Sequence, residues 1–427
     1  MEGMNKFQLG LLIVFGLFIL FGVAIFAMGG LSGDTPVVAK PTIWGTFDRK
    51  LFEKALADST LAQDKSVKIT YVQKNPATFD QEFVEALASD AGPDLIFVTN
   101  ETVLRNAQRL YPIPYANYSA RDFRTNFAEI GEIFFFPQGI IALPVSVDPL
   151  VMYWNRDLFT NLALAAPPKL WSEFYDLASQ FTKKDSNFNV TQSSAALGEF
   201  ANISHATNLI SLLFMQAGTS ITGWSTEGLV ESTVVTPPLA AERALAFYTE
   251  FSNPLRPHYS WNRSLPPSKN FFLSGNLAMY FGFASESAEL RLKNPNLNFD
   301  VAAVPQSKDA PRVTTIGTVT GIAIVKNSKD IAGAYRVATL MSGASFGKTF
   351  ADAASLPPVR RDLLAVKQTQ SFLSTFYTTA LQAKTWLWPD VQKTPLIFKE
   401  MIEGVTGGRS GVSEAVQQVA ASLDSQL

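Results

Sequence analysis

The alternation of strand-like and helix-like segments from Thr42 onward is the feature that most constrains the fold of this chain. "TIWG" is typical of a strand end, "VKITYV" alternates apolar and polar residues as a half-buried strand does, and "LIFV" is apolar throughout. Between the last two, "TFDQEFVEALASD" carries its apolar residues at helical spacing and ends before Gly92 and Pro93. This order of strand, helix and strand predicts a parallel α/β unit.

The residues that follow two of these predicted strands are candidates for a binding site. Ligands of open α/β sheets bind just beyond the carboxyl ends of the strands. Trp44 and Gly45 stand at the end of the first strand, and Asn100 and Glu101 follow "LIFVT". We therefore expect these four residues to share one rim of the sheet. A position in the core is the competing interpretation for Trp44.

The rest of the chain repeats the α/β pattern, and its length predicts more than one lobe. At 427 residues the chain exceeds the usual size of a single hydrophobic core. We predict helices in "PPKLWSEFYDLASQFTKKD" and "PPLAAERALAFYTEF", a largely buried segment in "LGEFANISHATNLISLLFMQAG" between them, and a buried strand in "LAMYFGF". "GIAIVKNSKDIAGAYRVATLMSG" pairs a strand with a helix once more, and "SEAVQQVAASL" closes the chain as a helix. The predicted fold class is therefore α/β.

Composition and missing motifs exclude several classes of function. Lys plus Arg number 35 against 37 Asp plus Glu, a formal net charge of -2, so no global field would attract nucleic acid. The absence of cysteine removes thiolate catalysis and thiolate metal sites, and two histidines are too few for a histidine-rich metal centre. No phosphate-binding glycine loop, nucleophile elbow or His-Glu-x-x-His motif occurs. We expect no metal, no cofactor and no catalysis. A glycan hydrolase, the enzymatic alternative, would use paired carboxylates such as Asp148 with Glu199 or Glu101.

The N-terminal region contains a run long enough to cross a bilayer. Leu9 to Met28 has no charged residue, and at 1.5 Å per residue such a helix is about 30 Å long. We predict an uncleaved transmembrane anchor within residues 1–30, followed by a linker over residues 31–40, with a cleaved signal peptide as the alternative. Because no second span follows, both interpretations place the rest of the chain on the extracytoplasmic side of the cell membrane.

Four stretches form an ordered set that covers most of the chain after Thr42. They are "VKITYVQKNPATFDQEFVEALASDAGPDLIFV", "GIIALPVSVDPLVMYWNRDLFTNLALAAPPKLWSEF", "NFFLSGNLAMYFGFASESAELRLKNPNLNFDVAAVPQ" and "GIAIVKNSKDIAGAYRVATLMSG", with "LPPVRRDLL" behind the last. The set resembles the extracellular solute-binding proteins that feed ABC importers, in the family that includes maltose- and other sugar-binding members. The resemblance implies a two-lobe periplasmic-binding-protein fold, type II-like, whose lobes close over a solute that is then passed to a membrane permease. We expect such a protein to act as a monomer.

The apolar run "GIIALP" is interpreted as the end of a strand of the first lobe and "LVMYWN" as the beginning of the second lobe. The polar segment "VSVDP" between them is therefore interpreted as a crossing between the two lobes, where one strand ends and another begins. Its proline limits the backbone states available to a hinge. Ser146 and Asp148 then face the mouth of the cleft, unless they merely satisfy backbone amides of the hinge. We expect the first lobe to comprise residues 41–146 and about 318–356, and the second lobe residues 147–317 and 357–427.

The resemblance also implies ligand contacts in the second lobe, and a class of ligand. The matching positions are Glu199, Asn202, Tyr280, Gly282, Phe283, Trp386 and Trp388. Trp and Tyr rings stack on the C–H faces of pyranose rings, while carboxylates and amides bind hydroxyl groups, so a carbohydrate is the predicted ligand. The tryptophans of "KTWLWPD" could instead pack beneath the hinge. A polyamine or a phosphate ester is the alternative ligand, and an anchored ligand sensor or scaffold that signals to a partner protein is the alternative function.

Overall fold

A computed structural model describes residues 38–427 of the chain, apart from 309 and 311. The predicted anchor or signal, residues 1–30, lies outside these described residues. Within them, no helix has both the length and the apolar character that crossing a membrane requires.

Strands and helices alternate along the described chain, as the sequence predicts. The strands are β1 (Thr42–Gly45), β2 (Thr70–Gln73), β3 (Leu95–Thr99), β4 (Phe135–Phe136), β5 (Gly139–Ile140), β6 (Leu143–Asn155), β7 (Lys183–Lys184), β8 (Val190–Ala195), β9 (Thr222–Trp224), β10 (Val230–Ser232), β11 (Leu277–Phe283), β12 (Phe299–Ala302), β13 (Thr315–Ile324) and β14 (Ala383–Lys384). The helices are α1 (Arg49–Asp58), α2 (Phe79–Ala88), α3 (Val103–Asn106), α4 (Ala120–Asn126), α5 (Arg156–Asn161), α6 (Phe174–Phe181), α7 (Ala206–Gln216), α8 (Ala240–Glu250), α9 (Ser268–Leu273), α10 (Ser287–Lys293), α11 (Ile331–Met341), α12 (Ala344–Ala354), α13 (Arg361–Leu364), α14 (Ser371–Gln382), α15 (Lys393–Thr406) and α16 (Val412–Asp424).

The predicted parallel unit is confirmed at the start of the sheet. β1 pairs in parallel with both β2 and β3, and Ile43 stands opposite Tyr71 on one side and Leu95 on the other. Helix α1 begins after Asp48, whose carboxylate accepts two backbone N–H groups of the first turn. From that helix, Phe52 stacks on Tyr71 with ring centroids 4.0 Å apart. The carboxyl ends of β1 and β3 therefore lie at the same edge of the sheet.

Two strands are shared between the two halves of the fold. The sheet runs in the order β2, β1, β3, β13, β6, β11, β8, β7. β6 is a continuous strand of 13 residues that pairs with β13 in its first half and with β11 and β12 in its second half. β13 runs antiparallel to β6 and continues alongside β3. The segment "VSVDP" is therefore the middle of one shared strand, not a break between two strands.

The prolines of β6 stand opposite glycines of β13, which explains how a strand interior accepts them. Pro144 faces Gly321, and Pro149 faces Gly317. The register of the two strands slips beside Gly321, and such a bulge is a place where a strand tolerates a residue without an N–H group. A Cβ atom on Gly321 would lie 2.7 Å from the ring of Phe134, so this glycine permits close packing on the first lobe.

Two hydrophobic cores flank the shared strands. The first core contains β1, β3 and the beginning of β6 as far as Val147, and the second core begins at Leu150. The segment after α12 contributes to both cores, because Val359 packs in the first and Trp386 in the second. The change of core between Val147 and Leu150 coincides with the crossing, while the predicted bounds of the lobes stay a prediction.

Candidate functional site

The candidate site lies between the two cores, where loops from the strand ends of both lobes meet. In the first lobe, β3 is followed directly by Asn100 and Glu101. In the second lobe, β8 ends at Ala195 and β11 ends at Phe283. β6 passes between the lobes and carries Asp148. The carboxyl ends of parallel strands are where α/β folds bind ligands, so this cleft is the candidate site.

Asn100 joins the loop after β3 to a tryptophan-containing segment that packs on the second core. Its side-chain amide donates to the carbonyl oxygen of Trp386 at 3.4 Å, and its backbone carbonyl accepts the N–H of Trp388 at 3.2 Å. Its side-chain oxygen accepts the N–H of Val319 in β13 at 3.2 Å. The buried amide of Asn100 therefore holds three segments together at the back of the cleft.

Trp386 and Trp388 form a buried aromatic pair beside this loop. Their ring centroids are 5.4 Å apart, and Trp386 also packs on Phe398 of α15 at 5.8 Å. The two residues are only 2% and 4% exposed. Neither indole N–H reaches a hydrogen-bond acceptor among the residues that the structure describes. A buried N–H without an acceptor costs free energy. The burial of both rings in the second core favours the packing interpretation, and ligand contact by either residue stays a prediction.

The carboxylate of Glu286, just after β11, is held by four donor groups. These are Nε2 of His205 at 2.8 Å, the hydroxyl of Tyr280 at 2.7 Å, the backbone N–H of Phe283 at 2.8 Å and Nζ of Lys269 at 2.9 Å. Burial by itself raises the pKa of Glu286, but His205, Lys269 and Tyr280 outweigh it and lower the pKa to about 2. Glu286 therefore stays ionised and fixes the wall of the second lobe.

Asp148 reaches from the crossing strand to the second lobe, where its carboxylate accepts the N–H of Ser285 at 3.0 Å. Burial raises the pKa of Asp148 to about 6; Ser285 and His205 oppose that rise, and the charge of Glu286 adds to it. Asp148 thus accepts a hydrogen bond from a backbone amide, which is one of the two roles that the sequence analysis considered for it; the other was contact with a ligand. No lysine or arginine of the described chain pairs with it.

Glu101 lies on the first lobe and is also influenced by His205. Burial raises the pKa of the Glu101 carboxyl, and the charge of His205 partly offsets the rise. The charge of the same imidazole also lowers the pKa values of Asp148 and Glu286, and it forms a hydrogen bond with Glu286. Within the described part of the chain, these groups do not form a cluster of the kind that holds a metal ion.

Trp44 and Gly45 stand at the predicted edge of the sheet but contact other protein groups. Trp44 belongs to the first core, and the ammonium of Lys74 lies 3.7 Å from its ring centroid. Glu82 holds that ammonium at 2.7 Å. A Cβ atom on Gly45 would lie 2.7 Å from the ring of Phe97, so the glycine allows a close approach of two segments. These contacts favour the core interpretation of Trp44, and ligand contact by either residue stays a prediction.

Glu199 and Asn202 hold the aromatic loop between α8 and α9. Arg263 donates to the Glu199 carboxylate through Nε at 3.3 Å and Nη2 at 3.2 Å. Asn202 accepts the indole N–H of Trp261 at 3.0 Å and donates to two backbone carbonyls of the same loop at 2.8 and 2.9 Å. Because these polar atoms are engaged within the protein, direct contact of either residue with a ligand stays a prediction.

The remaining predicted residues are buried and contact other protein groups, so their contact with a ligand stays a prediction. Tyr280 is buried and bonded to Glu286, and Phe283 packs edge-on against His205 with ring centroids 4.8 Å apart. A Cβ atom on Gly282 would lie 2.5 Å from the Tyr280 ring. Ser146 is buried within β6, opposite a residue of β13.

Four residues of the site were missed by the sequence analysis: His205, Lys269, Ser285 and Glu286. The rule that selected Glu101 at a strand end would also have selected Ser285 and Glu286, because they follow the end of β11 after one residue, Ala284. His205 gives no comparable signal. It precedes α7 with a left-handed φ of 58°, a conformation that the sequence does not reveal.

Two α/β lobes that share crossing strands, with a polar and aromatic cleft between them, define a two-lobe binding protein. A model of the bacterial extracellular solute-binding protein family matches residues 45–346, and the chain belongs to this family. A curated binding protein of Brucella abortus strain 2308 is 22% identical over 328 residues, which cover 74% of this chain and 73% of the relative.

Solved structures show the same fold. A cyclo/maltodextrin-binding protein complexed with maltotetraose has a TM-score of 0.73 at 12% identity, covering 91% of this chain and 97% of that one. A cyclic α-maltosyl-1,6-maltose binding protein of Arthrobacter globiformis has a TM-score of 0.73 at 16% identity, covering 91% and 99%. The sugar-binding protein MalE of Xanthomonas citri has a TM-score of 0.72 at 16% identity, covering 91% and 97%. These likenesses confirm the two-lobe α/β fold.

Proposed function

We propose that this protein captures a carbohydrate outside the cytoplasm and delivers it to an ABC-type permease. The observation that carries the proposal is the buried tryptophan pair held against the Asn100 loop of the opposite lobe. Aromatic faces and indole donors suit a pyranose ring, and Glu101 and Asp148 supply carboxylates for its hydroxyl groups. Structures with the same fold bind maltotetraose or cyclic α-maltosyl-1,6-maltose, which supports a sugar as the ligand class.

Capture would take place by closure of the two lobes about the shared strands β6 and β13. Glu101 and Asn100 lie on one lobe, and His205, Ser285 and Glu286 lie on the other. A ligand that contacts both sets favours the closed form by its differential affinity for the two states. The permease then receives the closed, loaded form. No step of this cycle requires covalent chemistry, so we expect no turnover of the bound sugar.

Thermal unfolding of the full-length chain in the presence of candidate solutes tests the carbohydrate proposal. Monosaccharides, oligosaccharides, polyamines and phosphate esters form the panel. A ligand at 100 times its Kd stabilises the folded state by about 2.7 kcal/mol, which is readily measured as a shift in Tm. A shift with a polyamine or a phosphate ester and with no sugar would contradict the carbohydrate proposal, while the fold would be unaffected.

The apolar run Leu9–Met28 is proposed to hold the protein at the outer face of the cell membrane. Membership of an extracellular family agrees with a location outside the cytoplasm. The test is fractionation of cells that express the full chain, compared with the same cells expressing a chain without residues 1–30. Retention of the full chain in the membrane fraction after alkaline washing is expected. Release of a shortened mature protein into the medium would instead indicate a cleaved signal peptide.

A further inference from the structure

We infer that the cleft selects a carbohydrate that bears an ammonium group, an amino sugar, over the corresponding neutral sugar and over a polyamine. The inference rests on the proposed function and specifies the class of ligand at the same site. It depends on two independent features. The carboxylates of Glu101 and Asp148 have no lysine or arginine partner, and the indole N–H groups of Trp386 and Trp388 have no acceptor, in both cases among the described residues.

Several basic side chains are already paired with acids other than Glu101 and Asp148. Each of these lysines and arginines lies within ion-pair distance of a carboxylate other than Glu101 or Asp148. The pairs are Lys74 with Glu82, Arg105 with Asp80 and Asp390, Arg263 with Glu199, and Lys269 with Glu286 and Glu289. No lysine or arginine of the described residues pairs with the two remaining acids.

Glu101 and Asp148 therefore give the cleft an excess of negative charge. The one basic group that acts on both is His205, and its Nε2 already lies 2.8 Å from Glu286. This imidazole is already hydrogen-bonded to Glu286, and no ion pair joins it to Glu101 or Asp148 among the described residues. An ammonium group of the ligand, placed between Glu101 and Asp148, would supply the missing positive charge when the lobes close.

The tryptophan pair requires the opposite chemistry, an acceptor. The indole N–H groups of Trp386 and Trp388 are buried without a partner among the described residues, directly beside the loop that carries Glu101. A hydroxyl oxygen accepts a hydrogen bond, whereas a protonated amine only donates. A polyamine would therefore neutralise the acids but leave both indoles unpaired. A neutral sugar would serve the indoles but leave the acids without a counter-charge.

An amino sugar meets both requirements with one molecule. Its hydroxyl oxygens can accept from the indoles, and its ammonium group can bind the carboxylates. Its charge is also compatible with an aromatic surface, because a cation is attracted to the face of a tryptophan ring. The same chain provides an internal example, in which the ammonium of Lys74 lies 3.7 Å from the ring centroid of Trp44 while Glu82 binds it.

Isothermal titration of the full-length chain with matched ligand pairs tests the inference. Glucosamine is compared with glucose, and chitosan trisaccharide is compared with cellotriose. N-acetylglucosamine keeps the ring and the hydroxyl groups but removes the charge, and putrescine keeps charge without ring or hydroxyl groups. We expect the amine-bearing member of at least one pair to bind at least tenfold more tightly than its neutral partner, and N-acetylation to abolish that preference.

Two variants test which residues provide the preference. Glu101→Gln and Asp148→Asn each remove one negative charge from the cleft and are expected to reduce the preference for the amine at least threefold. Asp58→Asn is the matched control. Asp58 pairs with Lys54 on the exposed face of α1, so this substitution also removes one negative charge, but far from the cleft. If a cleft variant fails to fold, the comparison of glucosamine with N-acetylglucosamine on the unaltered protein still tests whether the ammonium group increases affinity.

The outcomes separate this inference from the proposed function. Equal affinity for the amine and neutral members of every pair would overturn the inference and leave carbohydrate binding intact. Tighter binding of putrescine than of any amino sugar would overturn the requirement for acceptors, and the inference with it. Absence of binding by every sugar, charged or neutral, would contradict the proposed function itself.

Discussion

The carboxylate of Asp148 accepts the backbone N–H of Ser285 at 3.0 Å, and this bond ties the crossing strand to the loop after β11. The next residue in that loop, Glu286, has its carboxylate surrounded by Lys269, His205 and Tyr280. Two neighbouring carboxylates therefore have opposite environments, and their pKa values, about 6 for Asp148 and about 2 for Glu286, differ accordingly. Asp148 has no lysine or arginine partner among the described residues, whereas Glu286 is held by Lys269 and His205.

Replacement of Asp148 by Asn is expected to make the ligand-free protein more stable than the wild type at pH 7, by about 1 kcal/mol. The pKa of Asp148 in the folded chain, about 6, lies above its ordinary value of 3.8. The protonated form is therefore favoured in the folded state, and the stability it contributes is present below pH 3.8 and is lost as the pH rises to 6. Asn keeps an acceptor for the Ser285 N–H and carries no charge, so the variant should not show this loss.

Urea unfolding of both proteins without ligand, at several pH values from 4 to 7, measures the difference. We expect the Asp148→Asn variant to gain on the wild type as the pH rises, with no gain at pH 4. Glu400→Gln, a change on helix α15 away from the cleft, serves as the control for removal of one charge. A variant that is less stable than the wild type by the same amount at every pH would show that Asp148 stabilises the fold as an ionised group.

Replacement of Glu286 by Gln is expected to destabilise the protein by about 3 kcal/mol at pH 7, because Lys269 and His205 would lose their shared partner in a buried site. Since the pKa of Glu286 in the folded chain is about 2, below the ordinary 4.5, its contribution is present above pH 4.5 and is lost as the pH falls toward 2. The difference between variant and wild type should therefore shrink as the pH is lowered below 4.5.

The control for Glu286 is its neighbour Glu289, a more exposed carboxylate that pairs with Lys269 and Lys293. Glu289→Gln is expected to cost less than about 1 kcal/mol, as partly exposed ion pairs usually do. Denaturant unfolding of both variants provides the measurement. Equal losses for the two variants would mean that the enclosed position of Glu286 adds nothing to its ion pairs.

The regular elements were predictable because the periodicity of apolar residues is a local signal. "LAMYFGF" corresponds residue for residue to β11, and the first strand, helix and strand form the expected parallel unit. The break predicted at "VSVDP" was wrong, because prolines in a strand depend on the partner strand. Pro144 and Pro149 are accommodated by Gly321 and Gly317 of β13, and nothing near the prolines in sequence indicates that pairing.

The sequence selects candidate site residues but does not show how each side chain is used. The rule for strand ends selected Asn100 and Glu101, which follow β3, but the amide of Asn100 bonds to Trp386, which lies 286 residues further along the chain. Asn202 is similarly engaged by Trp261 and its loop. A polar residue at the right edge is a ligand contact only if the fold has left its polar atoms without partners, and that depends on contacts between distant segments.

Replacement of Gly321 by Ala is expected to destabilise the protein by about 2 kcal/mol, because the added Cβ would lie 2.7 Å from Phe134 and 2.9 Å from Ala142. The strand cannot shift away easily, since β13 is paired on both sides. Gly411→Ala is the matched control: the glycine precedes α16, and no atom lies within 4 Å of the position its Cβ would take. Thermal unfolding compares the two variants, and equal Tm values would show that the crossing strands have room that the packing does not indicate.

Replacement of Trp388 by Phe should weaken sugar binding about tenfold, which corresponds to about 1.4 kcal/mol. The loss of the indole N–H group by itself should not lower the stability of the ligand-free protein, because that group has no acceptor among the described residues. Trp261→Phe is the matched control, because the Trp261 N–H donates to Asn202 at 3.0 Å. Loss of this hydrogen bond should make Trp261→Phe about 1 kcal/mol less stable than Trp388→Phe and leave the affinity for the sugar unchanged. Unfolding in urea and titration with the tightest-binding sugar of the panel give both quantities. If Trp261→Phe weakened binding as much as Trp388→Phe did, the tryptophan pair would have no special part in binding the ligand, and the observation that carries the proposed function would be lost.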